Sequence, residues 1–207
     1  VPNGEGNLAF RAAKLLMDEF GIRDGLKIQI RKVIPVAAGM AGGSTDAAAV
    51  LIGVNRLFGL GLTKRELMER GVKLGADVPY CIMRGTALSE GIGEILTPLP
   101  PMPQCSVVLA KPQIGVSTKA VYGKLRANEL RPEEHPDIDG MVSAIKKGDL
   151  DGVIARLGNV LESVTAPEHP EIGRIEDIMR RNGADGVLMS GSGPTVFGLF
   201  KDRTAAE

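Results

Sequence analysis

Pro35-Val-Ala-Ala-Gly-Met-Ala-Gly-Gly-Ser-Thr-Asp46 is the densest glycine cluster of the chain, and the reading of the fold turns on it. Before it, Leu26, Ile28 and Ile30 alternate with Lys27, Gln29 and Arg31, which predicts a half-buried strand over Leu26 to Ile34. After it, Ala47 to Phe58 is apolar nearly all round and predicts a buried helix. A glycine-rich turn between strand and helix is where backbone N–H groups converge on an anion. Pro35, Val36, Ala37, Ala38, Gly39, Met40, Ala41, Gly42, Gly43, Ser44 and Thr45 are therefore candidate phosphate-binding residues. Gly39, Gly42 and Gly43 allow close approach and positive φ, Ser44 and Thr45 supply hydroxyls, and Asp46 is expected in the first helical turn, complementing the helix dipole. The loop lacks the Gly-Lys-Ser/Thr of a Walker A motif and the GxGxxG of a dinucleotide fold. A glycine-rich helix start without a ligand has the same pattern, and the residues alone leave both readings open.

Around this loop the chain alternates helices and strands. Leu8, Ala12, Leu15, Leu16 and Phe20 predict an amphipathic helix over Asn7 to Phe20. Thr63 and Glu66 form a capping box that starts a helix running to about Leu74. Gly85 to Leu99 reads as a hairpin around Glu90-Gly-Ile-Gly93. Prolines at 98, 100, 101 and 103 mark a boundary, giving domains 1–103 and 104–207. Beyond it, Cys105 to Ala110 predicts a buried strand. Helices are expected near Ser117 to Leu125, Gly140 to Lys147, Leu150 to Val164 and Pro170 to Asn182. Strands over Gly186 to Ser190 and Thr195 to Phe200 flank a second glycine loop, Gly191-Ser-Gly-Pro194. Mixed in this way, the elements place the fold in the α+β class.

Composition narrows the function. Twenty-five Lys+Arg balance 25 Asp+Glu, and aromatics are 3%, which leaves neither the cationic footprint nor the stacking surface of a nucleic-acid binder. No apolar run approaches a membrane span, and no signal peptide is visible. Cys81 and Cys105 lack CxxC spacing and read as half-buried thiols of a reducing compartment, the cytoplasm; His135 and His169 share no metal spacing, so no protein-built metal site is expected. Asp77, in Gly75-Ala-Asp-Val-Pro79, is either a turn or N-cap aspartate or a carboxylate able to orient or deprotonate a hydroxyl nucleophile. The second glycine loop lacks the GxSxG spacing of a nucleophile elbow and by itself reads as a tight hairpin.

Taken in order and spacing, these segments resemble the GHMP kinases, the superfamily of galactose, homoserine, mevalonate and phosphomevalonate kinases. Pro35 to Ala48 is similar to that family's ATP loop, and Ser190 to Thr195 to its third glycine motif. Leu74-Gly-Ala-Asp-Val-Pro79 and Glu90-Gly-Ile-Gly-Glu-Ile-Leu-Thr-Pro98 are more specific. They resemble the branch that phosphorylates the 2-hydroxyl of a cytidine diphosphate-linked sugar alcohol for non-mevalonate isoprenoid synthesis.

The resemblance implies a two-domain α+β GHMP kinase fold, ribosomal protein S5 domain 2-like followed by ferredoxin-like, with the first domain incomplete at its start and the second at its end. It implies ATP on Pro35 to Thr45, Mg²⁺ bridging phosphate oxygens, and Asp77 as the catalytic group. Asn7 would lie near the adenine, or simply cap the first helix, and Tyr122 would stack on cytosine, or be a core aromatic. The family's lysine closely followed by asparagine has no counterpart here, and Ala41 replaces a common loop glycine. Because the chain opens on Val1 and lacks that lysine, the resemblance implies that the 207 residues alone are inactive. Another GHMP kinase, of homoserine or mevalonate type, and a catalytically dead nucleotide-binding relative are the competing readings.

Overall fold

The computed structural model describes residues 1–207, which form two compact units: 1–36 with 41–98, and 37–40 with 99–207. Four helices build the first unit. They are α1 (Leu8–Glu19), α2 (Gly42–Leu57), α3 (Lys64–Gly71) and α4 (Val78–Met83). Asn7 caps α1 by accepting from the Ala9 N–H at 2.9 Å, and Thr63 and Glu66 form the expected reciprocal capping box on α3. The core is a seam of small and aliphatic side chains: Ala12 and Leu16 of α1, Ala47, Ala48, Leu51 and Val54 of α2, Leu67 of α3, and Val78 and Ile82 of α4. Alanines at 12, 47 and 48 leave no bulk between α1 and α2, so the two backbones approach closely. A two-stranded sheet follows, β1 (Thr86–Glu90) with β2 (Ile95–Leu99).

Two expectations for this unit are corrected. Leu26 to Ile34 forms no ladder: alternation selects one inward face, but a strand also needs a partner, and neither sheet takes this segment. Helix α2 starts at Gly42 rather than Ala47 and is not buried all round, because Ala49, Gly53, Arg56 and Leu57 form an exposed stripe opposite the buried one. Its composition is apolar beyond what its packing uses.

In the second unit a three-stranded antiparallel sheet has the order β3-β5-β4, with β3 Ser106–Ala110, β4 Gly186–Met189 and β5 Val196–Phe200. Ser106 pairs with Phe200 and Ala110 with Val196, while Met189 also pairs with Val196. Helices α5 (Thr118–Lys124), α6 (Ile138–Lys147), α7 (Leu150–Ile154), α8 (Glu162–Glu168), α9 (Glu171–Arg181) and α10 (Arg203–Ala206) complete it. Val121, Leu161, Ile172, Met179, Met189 and Val196 form its main core. Strand β3 is half-buried rather than buried: Val107 and Leu109 are 54% and 57% exposed, on the uncovered face of an edge strand. The single helix expected over Leu150 to Val164 is two. Helix α7 ends at Ile154, and just before α8 begins Asn159 Oδ1 accepts from the Leu161 N–H at 3.0 Å.

Candidate active site

Across Pro35 to Thr45 the backbone is special at alanines as well as at glycine. Gly39 has φ +69, but Ala37 and Ala41 also lie in the left-handed region at φ 51 and 47. Gly42 and Gly43, expected to supply positive φ, are instead the first residues of α2, with Ala41 as its N-cap. Gly42 is glycine for space: a Cβ there would stand 2.8 Å from Ile34 Cγ2 and 3.0 Å from Lys32 Nζ. Asp46 is not in the first turn, where its carboxylate would serve the dipole. It accepts from Lys32 Nζ at 2.5 Å, with both side chains largely shielded from water. Lys32 thus carries its charge to the start of α2. A lone lysine ahead of a glycine cluster gives no signal of a partner that a loop brings back to it.

In the same unit α4 comes alongside α2. The Thr45 hydroxyl donates to the Ala41 carbonyl at 3.0 Å and stands 3.5 Å from Cys81 Sγ. Burial is the main cause that pushes the Cys81 thiol above its usual range; contact with Thr45 opposes the shift and the Asp77 charge adds to it. Asp77 is therefore within electrostatic reach of the thiol that touches Thr45. It occupies the N-cap position of α4, in a turn, but its exposed side chain makes no cap hydrogen bond. Asp77 precedes Cys81 by one helical turn, its carbonyl accepting the Cys81 N–H at 3.0 Å. The turn between β1 and β2 packs on the residue before it: a Cβ on Gly93 would lie 3.5 Å from the Ala76 carbonyl oxygen.

Ala37 to Met40 belong to the second unit, where Gly39 meets the second glycine loop. Ser190 Oγ donates to the Gly39 carbonyl at 2.8 Å, and a Cβ on Gly39 would collide with the Ser190 carbonyl and stand 3.0 Å from that of Gly193. The loop does join β4 to β5 as a hairpin, with the Ser190 N–H bonded to Thr195 O at 2.8 Å. It is also fastened from three sides. Asn159 Nδ2 donates to Met189 O and Gly191 O, Thr165 Oγ1 donates to Ser192 O at 3.2 Å, and Thr118 Oγ1 lies 2.9 Å from Ser192 Oγ. Sequence reasoning missed Asn159, Thr165 and Thr118, whose partners are 27 to 74 residues away.

Residues 7–85 match the model of the GHMP kinases N-terminal domain, and residues 141–207 that of the GHMP kinases C-terminal domain. The chain belongs to the GHMP kinases. It is 56% identical over 207 residues to the 4-diphosphocytidyl-2-C-methyl-D-erythritol kinase of Lachnoclostridium phytofermentans, covering 100% of this chain and 70% of that relative. A crystal structure of 4-(cytidine 5'-diphospho)-2C-methyl-D-erythritol kinase superposes with a TM-score of 0.78 at 35% identity, over 99% of this chain and 73% of that one. Homoserine kinase from Cytophaga hutchinsonii superposes at 0.85 with 20% identity, over 100% of this chain and 70% of that one, a likeness of fold.

Two further candidates of this GHMP kinase fall in different surroundings. Tyr122 is 62% exposed on α5, which corrects the core-aromatic alternative. It lies one helical turn beyond Thr118, the residue that touches Ser192, and so projects from the same face. Asn7 caps α1 and donates from Nδ2 to Pro2 O at 2.9 Å, so both ends of its amide are engaged. No three His, Cys, Asp or Glu side chains converge as a metal cage, and no helix is long and apolar enough to cross a membrane.

Proposed function

We propose that this GHMP kinase transfers the γ-phosphoryl group of ATP to the 2-hydroxyl of 4-diphosphocytidyl-2-C-methyl-D-erythritol, in the cytoplasm. The observation that carries the reading is Asp77, an exposed carboxylate without a hydrogen-bond partner, beside the contact of Cys81 with Thr45 of the glycine loop. In phosphoryl transfer the protein chiefly positions the nucleophile and balances charge. Asp77 would accept the proton of the attacking hydroxyl. The N–H groups at the start of α2 would hold phosphate oxygens, with the Lys32 ammonium close by.

Substrate choice is supported by the 56% identity to the Lachnoclostridium kinase. The exposed ring of Tyr122 beside the second glycine loop is suited to stack on cytosine. The proline-rich stretch after Pro98 is the proposed boundary between the nucleotide-binding and C-terminal domains.

Mg²⁺ fits the donor set only as an ion held mainly by phosphates. Hydroxyls of Ser44 and Thr45 and the Asp77 carboxylate are at hand, and no all-protein cage is present. When bound, it would neutralise charge on the phosphates.

The test is Asp77→Asn in the full-length protein. Loss of about 10²–10⁴-fold in kcat with ATP binding retained is expected. A kcat within about threefold of wild type returns Asp77 to the turn.

A further inference from the structure

Glu90-Gly-Ile-Gly-Glu94, the turn between β1 and β2, is a specific motif of the chain that the proposed chemistry leaves unused. The turn is tied internally by side chains. The Ser89 hydroxyl donates to the Gly93 carbonyl at 2.8 Å, and Glu94 Oε2 accepts the Ile92 N–H at 2.8 Å. The Gly93 N–H donates to Glu90 O at 3.1 Å. Gly93 has φ +119, which an L side chain opposes. The turn comes back onto the residue before Asp77. The three atoms nearest a Cβ on Gly93 all belong to Ala76: Cβ and the carbonyl oxygen at 3.5 Å and the carbonyl carbon at 3.7 Å. Gly93 and Ala76 are half-buried there, whereas Gly91 and Ile92 at the tip are exposed.

The chain that leaves Asp77 thus closes a loop before it returns. Helix α4 ends at Met83, whose carbonyl accepts from Lys64 Nζ at 2.5 Å. The backbone then reverses through Arg84, at φ 63 and ψ 173, and Gly85, at φ 83. A non-glycine residue persists in such a conformation only where its surroundings hold it. Here the Arg84 N–H donates to Tyr80 O at 2.8 Å, and the Tyr80 hydroxyl donates to Gly85 O at 2.7 Å. Strand β1 carries the chain on from this reversal to the turn that rests on Ala76.

We propose that the 89–94 turn braces Ala76 and thereby aims the Asp77 carboxylate, with Ser89, Gly93 and Tyr80 as positioning residues. The Asp77 side chain makes no cap hydrogen bond, so its direction follows from the backbone that carries it. On the helical side that backbone is fixed by the Cys81 N–H, which donates to Asp77 O at 3.0 Å, and by the Val78 N–H, which donates to Gly75 O at 3.1 Å. On the other side Ala76 rests on Gly93. Displacing a catalytic group by about 1 Å can cost roughly 10²-fold in rate, so a brace one residue from the carboxylate bears directly on turnover. The catalytic consequence rests on the kinase reading of Asp77; the bracing of Ala76 does not.

The test compares the full-length wild type with Ser89→Ala, Ser89→Thr, Gly93→Ala and Tyr80→Phe. Alanine at 89 frees the Gly93 carbonyl, threonine keeps the hydroxyl, and phenylalanine at 80 removes only the bond to Gly85 O. Amide exchange at Val78 is expected to accelerate about tenfold in Ser89→Ala and Gly93→Ala and to stay near wild type in Ser89→Thr. With ATP and the cytidine-linked alcohol, kcat is expected to fall about 10- to 100-fold in the same two variants, with both KM values within about threefold of wild type. Ser89→Thr restores kcat, and Tyr80→Phe lowers it by about three- to tenfold. Combined with Asp77→Asn, Ser89→Ala is expected to lower kcat no further, because a residue that acts through Asp77 then has nothing left to aim. If Gly93→Ala does not fold, the two serine variants decide. Unchanged Val78 exchange in Ser89→Ala overturns the proposal, as does a lower melting temperature with kcat intact, or a loss in the double variant equal to the product of the single losses. Faster Val78 exchange in a full-length wild type and variant series that shows no turnover at all would leave the brace standing and remove the kinase reading with its catalytic consequence.

Discussion

Replacing Gly39 by alanine is expected to be among the most damaging single-methyl additions to this chain. The residue has φ +69, a conformation that costs an L residue about 1–2 kcal/mol. Its new Cβ would press on the Ser190 carbonyl, on Gly193 O at 3.0 Å and on Gly193 N at 3.2 Å. All three are backbone atoms of a loop fastened by Asn159 and Thr165, so they cannot yield as a flexible side chain would, and overpacking of this kind costs about 1–3 kcal/mol. Relief by moving the backbone would break the 2.8 Å bond from Ser190 Oγ to Gly39 O, worth about 0.5–1.5 kcal/mol. Together these bound the loss at about 2.5–6.5 kcal/mol, a large part of the ~5–15 kcal/mol typical of a domain. Urea unfolding read by hydrogen exchange on β4 and β5 measures it. Gly53→Ala is the control: it sits on the exposed face of α2 with no atom within 4 Å of a new Cβ, and is expected to stabilise by about 0.5–1 kcal/mol. A Gly39→Ala protein within about 1 kcal/mol of wild type would refute the close seating of the two glycine loops.

Tyr122→Ala is expected to raise KM for the cytidine substrate about five- to hundredfold, from the ~1–3 kcal/mol of base stacking, with KM for ATP and the melting temperature nearly unchanged, and Tyr122→Phe to be mild. A fall in stability without a substrate effect would contradict the 62% exposure of the ring. Acid sensitivity is expected at the pair Glu19–Arg70, where hydrogen bonds from the guanidinium hold the Glu19 carboxyl below its ordinary 4.5. That stability is present above 4.5 and lost as pH falls through the native value, so the melting difference between wild type and Arg70→Met is expected to shrink as the solution is acidified.

Much of the architecture was legible because it is local. Asn7, Thr63 and Ser117 announce helix starts by their own hydrogen bonds, and the β4 and β5 strands are bounded by their glycines. What failed depended on partners distant in sequence. Leu26 to Ile34 has the alternation of a strand but no neighbour to complete a ladder. Asp46 looked like a dipole group because Lys32 is 14 residues away. In the candidate site, the glycine loop and Asp77 are proposed from residue type and spacing, whereas the side chains that hold the second loop give no such signal. Asn159, Glu162 and Thr165 are ordinary helix-start residues until the fold sets β4 against them.

The central claim concerns which alcohol receives the phosphoryl group. The direct measurement offers the full-length protein radiolabelled γ-phosphate ATP with Mg²⁺ and, in separate reactions, 4-diphosphocytidyl-2-C-methyl-D-erythritol, homoserine and mevalonate, and follows label transferred to each. The account predicts product from the cytidine-linked alcohol alone, abolished by Asp77→Asn. Label on homoserine or mevalonate at an equal or greater rate, or on none of the three, would contradict it.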